Sequence, residues 1–471
     1  MFFLHPTLAV GCLCPSCITP SGAGGRLRAD FPKVVVKLQA TPIISGTRYT
    51  AEGLYCGLCG DRFPVNFPDE IKNAPKYDVS CASSLAIARY SLGLPFYRIE
   101  KNQAMHEIPM PDATQWDLTD GLYAVVRPVY DFLIQNASNG TLFQYDDTPN
   151  VVIENKIQGQ PTHSTAFISV YEDKKIHLFF TGRNTAGKNV DEILKQRTST
   201  DSIIAMMDAS SSNIPKTMTI PQSMRLPKTA MDDLKSMLIV PLSMPSDLTA
   251  EVLELPKKSA DTAQIDESLA PMFILAFCLA HGRRKFFEIF NFFDKECDLV
   301  LDIIGQVYMH DAHCKSKKYT PEQRLAYHQT YSAPLMQTLF VWLNNQLVYD
   351  LTEENNGLGQ SVKYMLKNWE MLTAFLRVAG APLDNNWAER AIKIVIRHRR
   401  NSLFYRTSHG AQVGDCLMGI IYTCQQNNVN AFDYLNTIQR HAARVAANPP
   451  SWLPWNYKHA LSTLPELVHA A

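Results

Sequence analysis

The stretch "TLFQYDDTPNVVIENKIQGQPTHSTAFISVYEDKKIHLFFTGR", Thr141–Arg183, decides the fold. Its runs "TLFQYDDTP", "HSTAFISVYED" and "KIHLFFTGR" are rich in β-branched and aromatic residues and are parted by polar turns, the pattern of short strands. Beyond them "NVDEILKQR" reads as a helix and "SIIAMMDAS" as a buried strand ending in Asp208. Strand, strand, strand, helix, strand is an α/β core.

On the N-terminal side, "SSLAIARYSLGLPFYRIEK" and "TDGLYAVVRPVYDFLIQNA" repeat apolar residues at three and four, the period of amphipathic helices. On the C-terminal side, residues 209–270 carry Pro215, Pro221, Pro227, Pro241, Pro245 and Pro256, a punctuated connection without a readable element. Long amphipathic helices follow, among them "APLMQTLFVWLNNQLVY" and "GQSVKYMLKNWEMLTAFLRVAG", and two more close the chain.

The 471 residues suffice for several domains, and 46% hydrophobic content supplies core material for a globular protein. Forty-five basic and 45 acidic residues cancel, so a polyanionic partner has to be read from local clusters. Eleven cysteines, an odd number, fit a reducing compartment better than a disulfide framework. The N-terminal apolar stretch has no Lys or Arg ahead of it and reads as no signal peptide, and no apolar run approaches the roughly 18 residues of a membrane span. The expected compartment is the cytoplasm, with no membrane partner.

"CPSC" and "CGLC", separated by a 38-residue spacer (18–55), place Cys14, Cys17, Cys56 and Cys59 as two knuckles. Facing one another, such pairs give the four sulfurs of a tetrahedral structural Zn²⁺ site. Cys278-x-x-His281 has ligand-like spacing too, but no partner pair nearby in the sequence.

Three acids stand at element ends: Asp146 in or at the end of a strand, Asp208 ending another, and Glu389 in "PLDNNWAERAIKIVIRHRR" (Pro382–Arg400). Carboxylates that converge repel one another unless a cation lies between them, and Mg²⁺ is the hard ion that binds a few carboxylates plus substrate phosphates. Each acid also has a bland reading: a turn cap at Pro149, an Asx turn before "SSSN", or a first-turn acid complementing the helix dipole. Asp384, Asn385 and Asn386 are natural N-caps, so the helix is expected to begin near Trp387. Glu389, Lys393 and Arg397 then share one face at four-residue spacing. From Arg390 to Gly414 there are six cations (Arg390, Lys393, Arg397, Arg399, Arg400, Arg406) and no acid. Such a stripe suits phosphate contacts, and "HGRRKFF", with Arg283, Arg284 and Lys285, supplies a second basic cluster.

Taken in order, these motifs resemble the insertion sequence 66 transposases, bacterial enzymes of the DDE class. "CPSC" with "CGLC" is similar to the family's zinc-binding domain, "SLAIARYSLGLPFYRIEK" to its "keyvdhlPlYRqe" helix and "YDDTP" to its first acidic strand motif. "CLAHGRRKFFE" is similar to "CwaHaRRkFfe", "PLDNNWAER" to "DNNxaER" and "WLPWNY" to "LLPWNW". The resemblance implies an RNase H-like catalytic core interrupted by a large helical insertion, with an N-terminal zinc ribbon-like domain and helical flanks. The implied segments are 1–70 (zinc binding), 71–139 (helical), 140–275 (first part of the core with the Pro-rich connection), 276–381 (insertion), 382–412 (last core helix) and 413–471 (C-terminal helical domain).

It further implies Asp146, Asp208 and Glu389 as catalytic ligands of Mg²⁺ or Mn²⁺, with Asp147 the rival of Asp146. The basic residues Arg283, Arg284, Lys285, Arg390, Lys393, Arg397, Arg399 and Arg400 would grip DNA. Expected partners are double-stranded DNA at element ends and target, further copies of the chain on that DNA, and small accessory proteins of the same element, in a nucleoid-associated setting. The second acid is followed by "DASSSN" where the family reads "DGYagY", and members commonly carry a further region ahead of the zinc domain. Those departures give the alternative, a catalytically decayed DNA-binding remnant; an RNase H-like nuclease outside transposition is the other.

Overall fold

The structure is a computed structural model that describes residues 9–16, 20, 25–28, 42–55, 62–64, 66–217 and 273–464. The chain divides into two units, Met1–Pro42 and Ile43–Ala471. In the first, an isolated antiparallel bridge joins Leu13 to Arg26, and the Cys14 amide donates to the Gly25 carbonyl at 2.7 Å. Of the cysteines expected to bind zinc, Cys17, Cys56 and Cys59 lie outside the described residues.

In the second unit a small antiparallel hairpin, β1 (Gly53–Tyr55) with β2 (Arg62–Pro64), precedes the main sheet. That sheet has five strands: β3 (Leu142–Asn150), β4 (Thr162–Tyr171), β5 (Lys174–Gly182), β6 (Ile203–Met207) and β7 (Phe273–Phe277). Their spatial order is β5-β4-β3-β6-β7. The first three form an antiparallel meander, and β6 and β7 add in parallel to β3 and to each other. Helices cover the sheet, so β4 is buried along most of its length, and Phe143, Tyr145, Phe167 and Phe179 are fully enclosed. Burial of both faces explains why the parallel strands β6 and β7 read as continuous apolar runs.

The helix Asp112–Ser138 packs against the meander, where Ser169 Oγ donates to the Ala137 carbonyl at 2.7 Å. The helix Ser408–Gln426 crosses β5 so closely that a Cβ on Gly419 would come within 2.5 Å of Tyr130 and 3.1 Å of the His177 carbonyl. This helix is part of the core's packing. The helix starts at Ser408, and its Asp415 and Thr423 bond to β5.

β7 carries no distinctive signal in the sequence. "FILAF" is a short, wholly apolar run without alternation, a pattern that a central parallel strand shares with a buried helix segment. After β7 come the helices Leu279–Glu288, Asp294–Ser316, Pro321–Tyr331, Ala333–Val348 and Gly357–Lys367, with shorter turns, before the helix Asn386–Ser402 returns to the sheet. Local chemistry sets these boundaries: Thr320 and Gln323 form a reciprocal capping box with Pro321 in the first turn. Among the described residues no helix is long and apolar enough to cross a membrane.

Candidate active site and metal centre

Strands β3 and β6 pair in parallel with Leu142 beside Ile204, Phe143 beside Ala205 and Gln144 beside Met206. The same step continued brings Asp146 level with Asp208, just past the end of β6. Strand alternation separates Asp146 from its neighbour. Asp147 Oδ2 accepts the Ala186 amide at 3.3 Å, at the start of the helix Ala186–Leu194, and so ties that helix to β3. Asp146 instead feels the other acids. Burial and then the charge on Asp208 push its carboxyl up to about 7; Asp147 and Glu389 add repulsion, and the Asp147 amide partly opposes the rise. Asp208 Oδ1 accepts from the Ser210 amide at 3.2 Å and from Asn213 Nδ2. The expected Asx turn is thus present, and the same aspartate also lines an open cleft of about 340 Å³ with Ser210, His281, Arg284, Lys285 and Tyr364.

The Glu389 helix is fastened to the sheet at its N-terminus. Asn385 Nδ2 donates to the Tyr145 carbonyl at 2.8 Å, and the Trp387 amide donates to Gln144 Oε1 at 3.3 Å. The Leu279 amide reaches the Leu383 carbonyl at 2.9 Å. Asn385 holds the N-cap position, but its side chain makes no cap bond. Being fully buried, its amide satisfies a β3 carbonyl, while Asp384 Oδ1 takes the Asn386 amide at 3.2 Å. These bonds fix the first turn over the residue next to Asp146.

Glu389 does not pair with Lys393. Its Oε1 lies 3.9 Å from Cys278 Sγ and 3.9 Å from His281 Nδ1, and the three donor atoms all fall within 4.8 Å of one another. Burial pushes the Cys278 thiol up to about 11. The Cys-x-x-His spacing was visible in the sequence, but its third member stands 111 residues away, where spacing carries no signal.

The basic residues divide into two groups. Arg397 Nη2 donates to the Ser91 carbonyl and, at 3.3 Å, to Tyr422 Oη; Arg399 Nη1 donates to the Pro149 carbonyl and, at 3.2 Å, to Thr148 Oγ1. Both serve as internal ties. Arg390, Lys393 and Arg400 are exposed and have no hydrogen-bond or ion-pair partner among the described residues. In the other cluster Arg284 is exposed at the cleft, Lys285 Nζ lies 4.6 Å from the Tyr364 ring centre and Arg283 lies 5.9 Å from that of Phe287.

The family model for "Transposase IS66 family" matches residues 76–211 and 264–413, two stretches that flank the Pro-rich connection and include Asp146, Asp208, Cys278, His281 and Glu389. The chain belongs to the IS66 transposase family. It is also similar to three proteins of Sinorhizobium fredii (strain NBRC 101917 / NGR234). "Uncharacterized protein y4hP" is 30% identical over 200 residues, 39% of this chain and 35% of that protein. "Uncharacterized protein y4jD" is 29% identical over 188 residues (39% and 36%), and "Uncharacterized protein y4qI" is 25% identical over 186 (39% and 34%). The matched span is about a third of the length of these relatives.

Within this IS66 chain the acids fit a divalent cation. Asp146 is partly buried against three other carboxylates, Asp208, Asp147 and Glu389, with no cationic side chain among the groups that shift it, an arrangement whose cost a bound cation removes.

Proposed function

We propose that the protein is a DDE-class DNA transposase, its five-stranded sheet an RNase H-like core and Asp146, Asp208 and Glu389 the holders of catalytic Mg²⁺ or Mn²⁺. The observation that carries this reading is the parallel register of β3 and β6, by which Asp146 stands level with Asp208, together with the repulsion that Asp208 and Glu389 exert on the partly buried Asp146 carboxyl. When bound, the cation lowers the barrier for water, and then a freed 3′-hydroxyl, to attack a DNA phosphodiester, and stabilises the leaving oxygen.

The chain's own residues provide the frame. β3 and β6 present the two aspartates side by side, and the Asn385 and Trp387 bonds to β3 hold the helix that carries Glu389. Asp147, occupied at the Ala186 amide, is the less suitable ligand of the adjacent pair. Arg284 and Lys285 at the cleft, with Arg390, Lys393 and Arg400 beyond it, meet backbone phosphates without reading bases. Double-stranded DNA is the partner that such a surface fits.

The test is metal-dependent nicking and strand transfer on DNA carrying the sequences that flank the gene. Asp146→Asn and Glu389→Gln should reduce both to background while DNA binding persists. Cleavage undiminished in either variant would sink the assignment. Asp208 Oδ1 already holds Ser210 and Asn213, an observation that favours a second reading, a DNA-binding remnant; wild-type binding without cleavage would select it.

A further inference from the structure

We infer that Cys278, His281 and Glu389 form a metal position of their own, with the ligand chemistry of a zinc-class cation and not of Mg²⁺. The inference needs only these three side chains and stands apart from the nucleolytic reading, although Glu389 belongs to both.

The distances make the first argument. Glu389 Oε1 is 3.9 Å from the Cys278 sulfur and 3.9 Å from His281 Nδ1. An N–H···O hydrogen bond spans about 2.9 Å, so imidazole and carboxylate face one another without bonding. Zinc bonds of about 2.3 Å to sulfur and about 2.1 Å to nitrogen and oxygen, arranged tetrahedrally, set neighbouring donor atoms about 3.4–3.6 Å apart. The imidazole gap is too wide for a hydrogen bond, the thiol makes only a long bond to the same oxygen, and both distances are a few tenths of an ångström from those of a shared ion.

The second argument is an unmet need. His281 Nδ1 is buried and has no hydrogen-bond partner, and a buried polar atom without a partner is destabilising. A cation between the three groups removes that defect. The Asn385 amide already donates to the Cys278 sulfur at 3.3 Å, the kind of supporting bond that stabilises a metal-bound thiolate.

The donor set identifies the ion class. Thiolate, imidazole and one carboxylate oxygen select a borderline-soft metal, whereas Mg²⁺ demands oxygen. Binding displaces the thiol proton to solvent, and the thiolate completes the set. Three protein ligands leave a fourth position, and His281 lines the cleft that also contains Asp208; sites of this form keep that position open to water or substrate. Both close approaches involve Oε1, so Oε2 of Glu389 stays available to the aspartates.

The experiment uses the full chain, stripped of metal and reloaded with Zn²⁺ alone, and counts zinc per chain by mass spectrometry. Wild type is compared with Cys278→Ser and His281→Gln, each verified as folded by circular dichroism. The N-terminal cysteine pairs contribute equally to all three proteins, so the readout is the difference. One zinc fewer per chain in both variants is expected, together with a zinc-edge anomalous peak between the three side chains in wild-type crystals. Should Cys278→Ser fail to fold, His281, whose side chain is 24% exposed, carries the test alone. Equal zinc content in wild type and any folded variant would overturn the inference. That result leaves Mg²⁺-dependent cleavage untouched, just as absent cleavage with a zinc difference would refute only the proposed function.

Discussion

Asp415 offers a measurement in which burial and hydrogen bonding oppose each other. It sits in the helix Ser408–Gln426, is 6% exposed, and accepts the Thr181 amide at 2.5 Å and the Thr181 hydroxyl at 2.8 Å. Those bonds favour the carboxylate, but full burial outweighs them and pushes the group up to about 7 from its ordinary 3.8. A folded state that holds a proton which the unfolded chain has released is most stable below the unfolded value. Stability is then lost as pH rises, most of it by the time pH passes through about 7. Three units of difference correspond to about 4 kcal/mol between pH 4 and pH 8. Asp415→Asn removes the charge and keeps an acceptor for the Thr181 amide, at a cost of about 1 kcal/mol for the altered bonds. The variant should therefore lie slightly above wild type at pH 5, by less than about 1 kcal/mol, and exceed it by about 3 kcal/mol at pH 8. Urea unfolding midpoints of both proteins at pH 5, 6, 7 and 8 measure the difference. Parallel curves, or a variant less stable at every pH, would show that the Thr181 bonds keep Asp415 ionised and that burial does not decide its state.

Two further outcomes follow from how the cations are held. Arg397→Ala removes the tie to the Ser91 carbonyl and should cost about 1–2 kcal/mol in thermal unfolding, whereas Lys393→Ala should leave stability unchanged and reduce the salt slope of DNA binding by about one; the opposite pattern would reverse their roles. Asp311 is 2% exposed and joins Arg324 at 2.6 Å, Lys315 at 2.7 Å and His328 at 3.5 Å. Burial resists its ionisation, but His328, Arg324 and Lys315 together hold the carboxyl well below its usual range. Its contribution is present above the unfolded value near 3.8 and is lost as pH falls below it. Asp311→Ala removes the acceptor that Arg324, Lys315 and the buried His328 share and should cost about 1–3 kcal/mol at pH 7, a loss that denaturant titration would detect and that an unchanged midpoint would refute.

What the sequence revealed and what it hid differ by the range of the interaction. Strands β3 to β6 and the Glu389 helix announce themselves because their apolar residues keep a local period, and the three acids are visible as polar groups at element ends. β7 is hidden because its five residues are uniformly apolar, and a strand flanked by covered faces gives no alternation to read. The choice between Asp146 and Asp147 is equally opaque in the string "YDD". On the proposed reading it turns on which side of β3 meets the start of the Ala186 helix, a contact across 39 residues. The four-residue spacing of Glu389, Lys393 and Arg397 puts them on one face of the helix Asn386–Ser402, yet the spacing cannot say what that face meets. In the fold Glu389 meets Cys278 and His281, Arg397 meets the carbonyl of Ser91, and Lys393 meets solvent, so one stripe carries three unlike tasks. Asn385 makes the same point about caps. Its residue type predicts a local bond to its own helix, but enclosure at 0% exposure beside an unsatisfied β3 carbonyl redirects the amide 240 positions away. A buried polar group goes where its partner is, and at the centre of this molecule that partner is supplied by the tertiary fold.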